Sequence, residues 1–282
     1  YFQEFTLDVI CKVALVPNQN AFFKLTDMLK KNVAQRKNER LNNEDETKSK
    51  DFIDIFLDAE VDVSEVKFGE ESDTARKLSA DEIVGQCLIF LLAGFDTASN
   101  SLAYVTHFLA NHSNVQKKLI EEVDLFLADH DTFEIEDLKS LKYTDAVIKE
   151  SLRHYPLGSI AHTRECTKAC EIGGFRFDAG DMVQVDTWSM HMDKEMWGED
   201  AEEFRPERWL EPSNRPRTAF QSFGEGPRIC LGMRLAYIEE KVALLKLLSR
   251  FTIEKTKRTN PIKLVGSLTV SPADVTVKLV KR

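Results

Sequence analysis

Residues 223–232, Phe-Gly-Glu-Gly-Pro-Arg-Ile-Cys-Leu-Gly, bring one cysteine, Cys230, to the end of a glycine-rich hairpin just ahead of a helical pattern. Glycine permits the positive backbone angles and the close approach that a bulky planar ligand demands. The positive end of the following helix favours thiolate at Cys230. Backbone amides around such a loop can donate to the sulfur and tune its electron donation to a metal. Arg228, two residues earlier, could meet a carboxylate of the bound group. The plain alternative is a buried free cysteine beside a turn.

Two further constellations stand upstream. In Glu150-Ser151-Leu152-Arg153 an acid and a base three residues apart share one helix face and can pair. In Ala93-Gly94-Phe95-Asp96-Thr97 an acid and a hydroxyl interrupt an apolar stretch, a costly placement unless they have partners or a use. Adjacent titratable and hydroxyl groups can pass protons. Thr97 bonding back along its helix, with Asp96 paired to a distant arginine, is the structural alternative. Cys166, Cys170 and His162 resemble a metal site only loosely, without a second ligand pair, and read as a surface connector.

The elements that must position these residues are mostly helical. Apolar residues at three- and four-residue spacing predict helices over 1–14, 21–41 and 51–60, with polar loops at 42–50 and 61–77. Ser79-Ala80-Asp81-Glu82 fits a capping box and opens the longest helix, running to residue 111, a rod of about 50 Å. Its middle, 87–93, is apolar on all sides and is expected to cross the interior. Helices at 113–128 and 143–155 follow. Residues 157–190 alternate around Gly173-Gly174 and Gly180, predicting short strands. Residues 197–223 read as loop, 231–250 as helix and 262–280 as a closing hairpin. The fold class is mainly α with a small β-rich region.

Of the 282 residues, 43% are hydrophobic and 30% charged, the balance of a globular protein with a real core. The net charge of −9 argues against nucleic acid as a partner. No run of 18 apolar residues occurs, so no membrane span is expected within the chain. Five scattered cysteines point to a reducing compartment. The start, Tyr1-Phe2-Gln3-Glu4, lacks an initiator Met, and the numbering is expected to begin inside a longer protein.

The cysteine loop resembles the haem-binding signature of the cytochrome P450 family, with Phe223, Gly226, Arg228, Cys230 and Gly232 at its fixed positions. The family also carries a Glu-x-x-Arg pair joined to an arginine in a Pro-Glu-Arg stretch, here Glu150, Arg153 and Arg208. The resemblance implies a buried structural charge network. It likewise implies that Cys230 binds the iron of haem b, that Asp96 and Thr97 relay protons to dioxygen, and that Arg164 meets a haem propionate, with His162 a competitor for that role. Phe90, Ala93, Thr97, Leu157, Ser159, Ile160, Ala161, Ser267, Leu268 and Thr269 would line a mostly apolar substrate cavity.

The implied activity is monooxygenation of a lipophilic small molecule by O2. Electrons would come from NADPH through a flavoprotein reductase, with cytochrome b5 a further candidate donor. The reductase would dock on a basic patch of Lys139, Lys142, Arg215, Arg217 and Arg234. The resemblance is to eukaryotic microsomal members, which implies the cytosolic face of the endoplasmic reticulum membrane for the full-length parent, its anchor outside this sequence. The expected organisation is one incomplete P450-fold domain, with peripheral helices and loops over 1–77 and a haem-binding core over 78–282. The family's amino-terminal portion has no counterpart here, and residues 16–20 join two helices that the family separates more widely. Two rivals stand beside this reading. One is a reductase-independent peroxide isomerase or dehydratase. The other is a truncated, inactive haem or lipid binder.

Overall fold

The computed structural model describes residues 19–42, 51–60, 78–158, 162–266 and 269–282. The expected first helix, residues 43–50 and 61–77 of the polar loops and residues 16–18 of the expected short join lie outside the described residues, while Asn42 ends a helix. The chain forms two compact units, residues 1–96 and 97–282, and the boundary falls within one long helix.

In the first unit, α1 (Gln19–Asn42) and α2 (Phe52–Asp58) pack against the start of α3 (Ala80–Asn111). Leu25, Leu29, Val33, Ile83 and Val84 form the buried cluster, flanked by Phe56, Leu57 and Leu88. The Phe90 ring contacts Phe52 and Phe56 at centroid distances of 4.6 and 5.6 Å. Both short-range starts are capped. The Asp51 side chain accepts from Asp54 N–H at 3.1 Å. Ser79 N–H donates to Glu82 Oε2 at 2.8 Å, while Ser79 Oγ accepts from Glu82 N–H at 3.3 Å.

The middle of α3 departs from expectation. Ile89 is 55% and Leu92 39% exposed, and Ala93 and Gly94 are exposed as well. Among the described residues of its unit, α1 and α2 pack on the face of α3 that carries Ile83, Val84, Leu88 and Leu91. By length and composition α3 is apolar enough to cross a membrane, although charges interrupt any continuous apolar run. A core helix passes the same test, and its second half is one: Leu102, Tyr104, Val105 and Leu109 are at most 2% exposed.

That half lies in the second unit with α4 (Ser113–Asp129), α5 (Lys142–His154) and α8 (Met233–Leu248). Between α5 and α8 come β1 (Arg164–Glu165), β2 (Cys170–Ile172), β3 (Phe175–Phe177) and β4 (Met182–Val183). They are followed by α6 (Thr187–Met192) and α7 (Lys194–Trp197). After α8 come β5 (Phe251–Lys255), β6 (Leu264–Val265), β7 (Ser271–Pro272) and β8 (Val277–Lys281). The strands form four antiparallel pairs, β1 with β4, β2 with β3, β5 with β8 and β6 with β7.

Residues 187–190 are therefore helix where alternation suggested strand. Asp186 decides it by accepting the Ser189 N–H at 3.0 Å, an N-cap that starts a helix there despite the alternation. The closing hairpin is also larger than expected, since β8 pairs with β5, which lies between the expected helix at 231–250 and the expected hairpin at 262–280. Buried Gln116 holds that strand: its amide donates to Ile253 O at 2.8 Å and its oxygen accepts Ile253 N–H at 2.7 Å.

Candidate functional site

The α5 helix starts on a borrowed cap. Glu122 of α4 accepts the Tyr143 and Thr144 amides at 2.7 Å each and the Thr144 hydroxyl at 2.6 Å. A carboxylate at a helix N-terminus meets unpaired N–H groups and the positive end of the helix dipole. Two and three turns later, Glu150 and Arg153 are both fully buried.

Glu150 accepts five donors. Oε1 takes Arg153 Nη2 at 2.8 Å, Arg208 Nε at 2.9 Å and Arg205 N–H at 3.0 Å. Oε2 takes Arg153 Nε at 3.0 Å and Trp209 Nε1 at 2.8 Å. Burial alone would raise this carboxyl. The His154 ring, with Nε2 3.8 Å away, the Arg153 hydrogen bonds and the charges of Arg153 and Arg208 outweigh burial and hold it well below the usual carboxylate range. The cations are satisfied too. Arg153 donates to His191 O at 2.7 Å, and Arg208 to Trp197 O and Asp200 O at 3.1 and 2.9 Å. The structure thus brings Glu150, Arg153 and Arg208 together, and adds Asp200 and Trp209, which no sequence motif singled out.

From this network a chain of hydrogen bonds leads to the cysteine loop. His191 Nδ1 lies 3.1 Å from Arg153 O, so that nitrogen carries the proton, and Nε2 accepts Gln221 N–H at 2.9 Å. Only a neutral ring can do both. Burial pushes the His191 pKa down to about 4, with the nearby Arg153 charge acting in the same direction. Ser222 then donates to Leu152 O at 2.9 Å. His191, Gln221 and Ser222 went unnoticed in the sequence because each bond has a backbone atom of a distant segment at one end, and backbone atoms carry no residue signature.

In the loop itself, Gly224 and Gly226 have φ of 72° and 76°, left-handed values that side chains rarely adopt. A β-carbon on Gly224 would come within 3.3 Å of His162 Nε2. Cys230 N–H donates to Phe223 O at 2.8 Å and closes the loop, and the Phe223 ring lies against Tyr237. Gly232, with φ of −82°, caps α8. Cys230 is exposed, and so are the apolar side chains around it: Leu231 80%, Leu235 52% and Ile229 38%. Arg228 is exposed on the same loop.

Arg164, exposed on β1, donates to Thr163 O. His162 is half-buried, with Nδ1 3.1 Å from Thr187 Oγ1. Burial, then the Arg164 charge, lowers its pKa. Asp96 and Thr97 are half-buried neighbours on α3, the last residue of the first unit and the first of the second. Of the expected cavity lining, Phe90 belongs to an aromatic cluster, Ala93 is exposed, Leu157 is buried and Thr269 half-buried. Ser159, Ile160, Ala161, Ser267 and Leu268 lie outside the described residues.

The fold is thus mainly helical, with a surface cysteine on a glycine loop and a buried Glu-Arg network bracing the approach to it. The family model for cytochrome P450 matches residues 2–279, and the chain belongs to the cytochrome P450 family. Its relatives include three Caenorhabditis elegans proteins named as cytochromes P450. The chain is 44% identical to CYP13A2 over 98% of its own length and 55% of the relative's. It is 46% identical to CYP13A10 over 89% and 50%, and 40% identical to CYP13A1 over 99% and 56%. The chain spans about half the length of these relatives.

Proposed function

We propose that this chain is the haem-binding portion of a monooxygenase that inserts one atom of O2 into a lipophilic substrate, with Cys230 as the thiolate ligand. The observation that carries the proposal is the exposed Cys230 sulfur, offered by a left-handed glycine turn and surrounded by exposed Ile229, Leu231 and Leu235. A flat, apolar, metal-bearing macrocycle fits that surface, since it would bury those side chains while the sulfur meets its metal. Haem, when bound, would supply the oxidising chemistry, with a potential that depends on its sulfur ligand and the surroundings of that sulfur.

The protein's own residues have separable roles in this proposal. The Phe223–Cys230 backbone hydrogen bond holds the loop closed and so fixes where the sulfur points. Arg228 and Arg164 supply positive charge for the ligand's carboxylates, and His162 a neutral hydrogen-bonding ring. Asp96 and Thr97 hold and pass protons toward the reacting oxygen. Ile229, Leu231 and Leu235, once covered by the bound group, would keep water from the sulfur.

Electrons are proposed to come from NADPH through a flavoprotein reductase, with cytochrome b5 as a further donor, at the cytosolic face of the endoplasmic reticulum membrane. Of the basic residues considered for docking, Lys139 pairs with Glu136, and Arg217 lies 3.9 Å from Glu225. Arg215 stacks on Trp197 at 4.2 Å. Lys142 and Arg234 are exposed and are the stronger candidates for steering a partner.

The test is the spectrum of the dithionite-reduced carbon monoxide complex after reconstitution with haem. The long-wavelength Soret band that gives the family its name is expected, and Cys230→Ala should abolish it. An unchanged band in that variant would remove Cys230 as the ligand.

A further inference from the structure

Cys166 and Cys170 stand four residues apart between β1 and β2, and their sulfur atoms are 3.9 Å from each other. The backbone around them is pinned at both ends. Cys166 N–H donates to Asp181 O at 2.8 Å, and its carbonyl accepts Gly180 N–H at 2.7 Å, continuing the β1–β4 pairing. Cys170 is the first residue of β2 and pairs with Phe177 of β3. The connector is thus bent by two separate ladders, and the approach of the sulfurs follows from the fold. Cys170 is exposed and Cys166 half-buried, its thiol donating to Lys168 O at 3.1 Å. Among the described residues no group of three His, Cys, Asp or Glu side chains could hold a metal ion. The pair is therefore available as a dithiol.

We propose that Cys166 and Cys170 form a redox-active dithiol, oxidised to an intramolecular disulfide by exchange with a small disulfide of the glutathione type. One cysteine, as thiolate, attacks a sulfur of oxidised glutathione, forming a mixed disulfide and releasing one glutathione thiolate, which takes up the proton. The other cysteine, losing its own proton, attacks the protein sulfur of that mixed disulfide. The Cys166–Cys170 bond forms, and the second glutathione leaves and is protonated. Two protein thiols are oxidised, and one glutathione disulfide is reduced to two thiols. Bridging brings the two sulfurs from 3.9 Å to a bond of about 2.05 Å. The bridge would tie the β1–β4 ladder, which carries Arg164, covalently to the β2–β3 hairpin.

Trypsin cuts between the two cysteines, after Lys168, and outside them after Arg164 and Arg176, so the bridge has a direct readout. The folded chain is equilibrated in glutathione buffers of graded redox ratio, blocked with N-ethylmaleimide, digested and weighed by mass spectrometry. Peptides 165–168 and 169–176 are expected as one species lighter by two hydrogens than their sum, which dithiothreitol separates. The equilibrium constant for bridging should be about tenfold larger in the folded chain than in guanidinium, because the fold holds the thiols together. Cys166→Ser should leave Cys170 only as a glutathione mixed disulfide. Separate peptides carrying maleimide or single glutathiones, a bridge from Cys170 to another cysteine, or equal bridging in guanidinium would each overturn the proposal.

Discussion

Glu240 shows how one side chain can set a pH dependence. It lies on α8, 1% exposed, and neither its Oε2 nor the nearby Ser101 Oγ completes a hydrogen bond. Burial, reinforced by the Glu239 charge, raises its pKa from 4.5 to about 8, against a smaller opposing effect of Ser101. The folded state therefore holds a proton that the unfolded state releases between those two values. Its contribution to stability is complete below about 4.5 and is lost progressively as pH rises toward 8. Glu240→Gln keeps the shape without the ionisation. Urea melts should show the variant more stable than the parent at pH 8, by a few kcal/mol at most, with a flatter profile between pH 4.5 and 8. Parallel profiles would mean that Glu240 ionises freely in the folded protein.

At the scale of elements, α5 depends on a residue of another helix. Its first amides have no partner in their own turn, and the residue before it, Leu141, cannot cap. Glu122 of α4 takes that role, so the start of α5 forms only when α4 docks. Glu122→Ala should cost about 1–2 kcal/mol, as loss of a helix cap does. Hydrogen exchange at Tyr143 and Thr144 should quicken more than at Ile148 in the buried middle of α5. Uniform acceleration along α5 would point to a general loss of stability instead. β5 has the same kind of dependence on Gln116, which supplies both a donor and an acceptor to Ile253.

For the whole molecule, the Glu150 network ties together segments far apart in the chain: α5, the turn at Pro206–Trp209 and, through His191 and Gln221, the approach to the cysteine loop. One carboxylate shared by two arginines, every polar atom partnered, is stable as a unit and costly to break in part. Arg208→Ala should lower unfolding stability by about 3–5 kcal/mol. Maleimide labelling of Cys230, already exposed, should change little in rate, because the loop is also closed by its own backbone bond. A loss under about 1 kcal/mol would mean that the pair behaves like a solvated surface bridge.

Much of the site was legible locally. Ser79 and Glu82 cap α3 because the capping box is a four-residue interaction. Glu150 and Arg153 meet because three residues are nearly one helical turn, and the glycines at 224 and 226 occupy the only backbone region that demands them. The sequence by itself determined these short-range features, the mainly helical class and the cysteine motif, since each depends on neighbours within a turn or two. Tertiary structure alone decided that Glu150 accepts from Trp209 and Arg205, that Asp200 completes the Arg208 shell, and that His191 must stay neutral. It also decided which face of α3 is covered and that Cys166 and Cys170 touch. These contacts depend on how separate elements pack, and no local period in the chain encodes which of its many acids, bases and carbonyls will share one buried space.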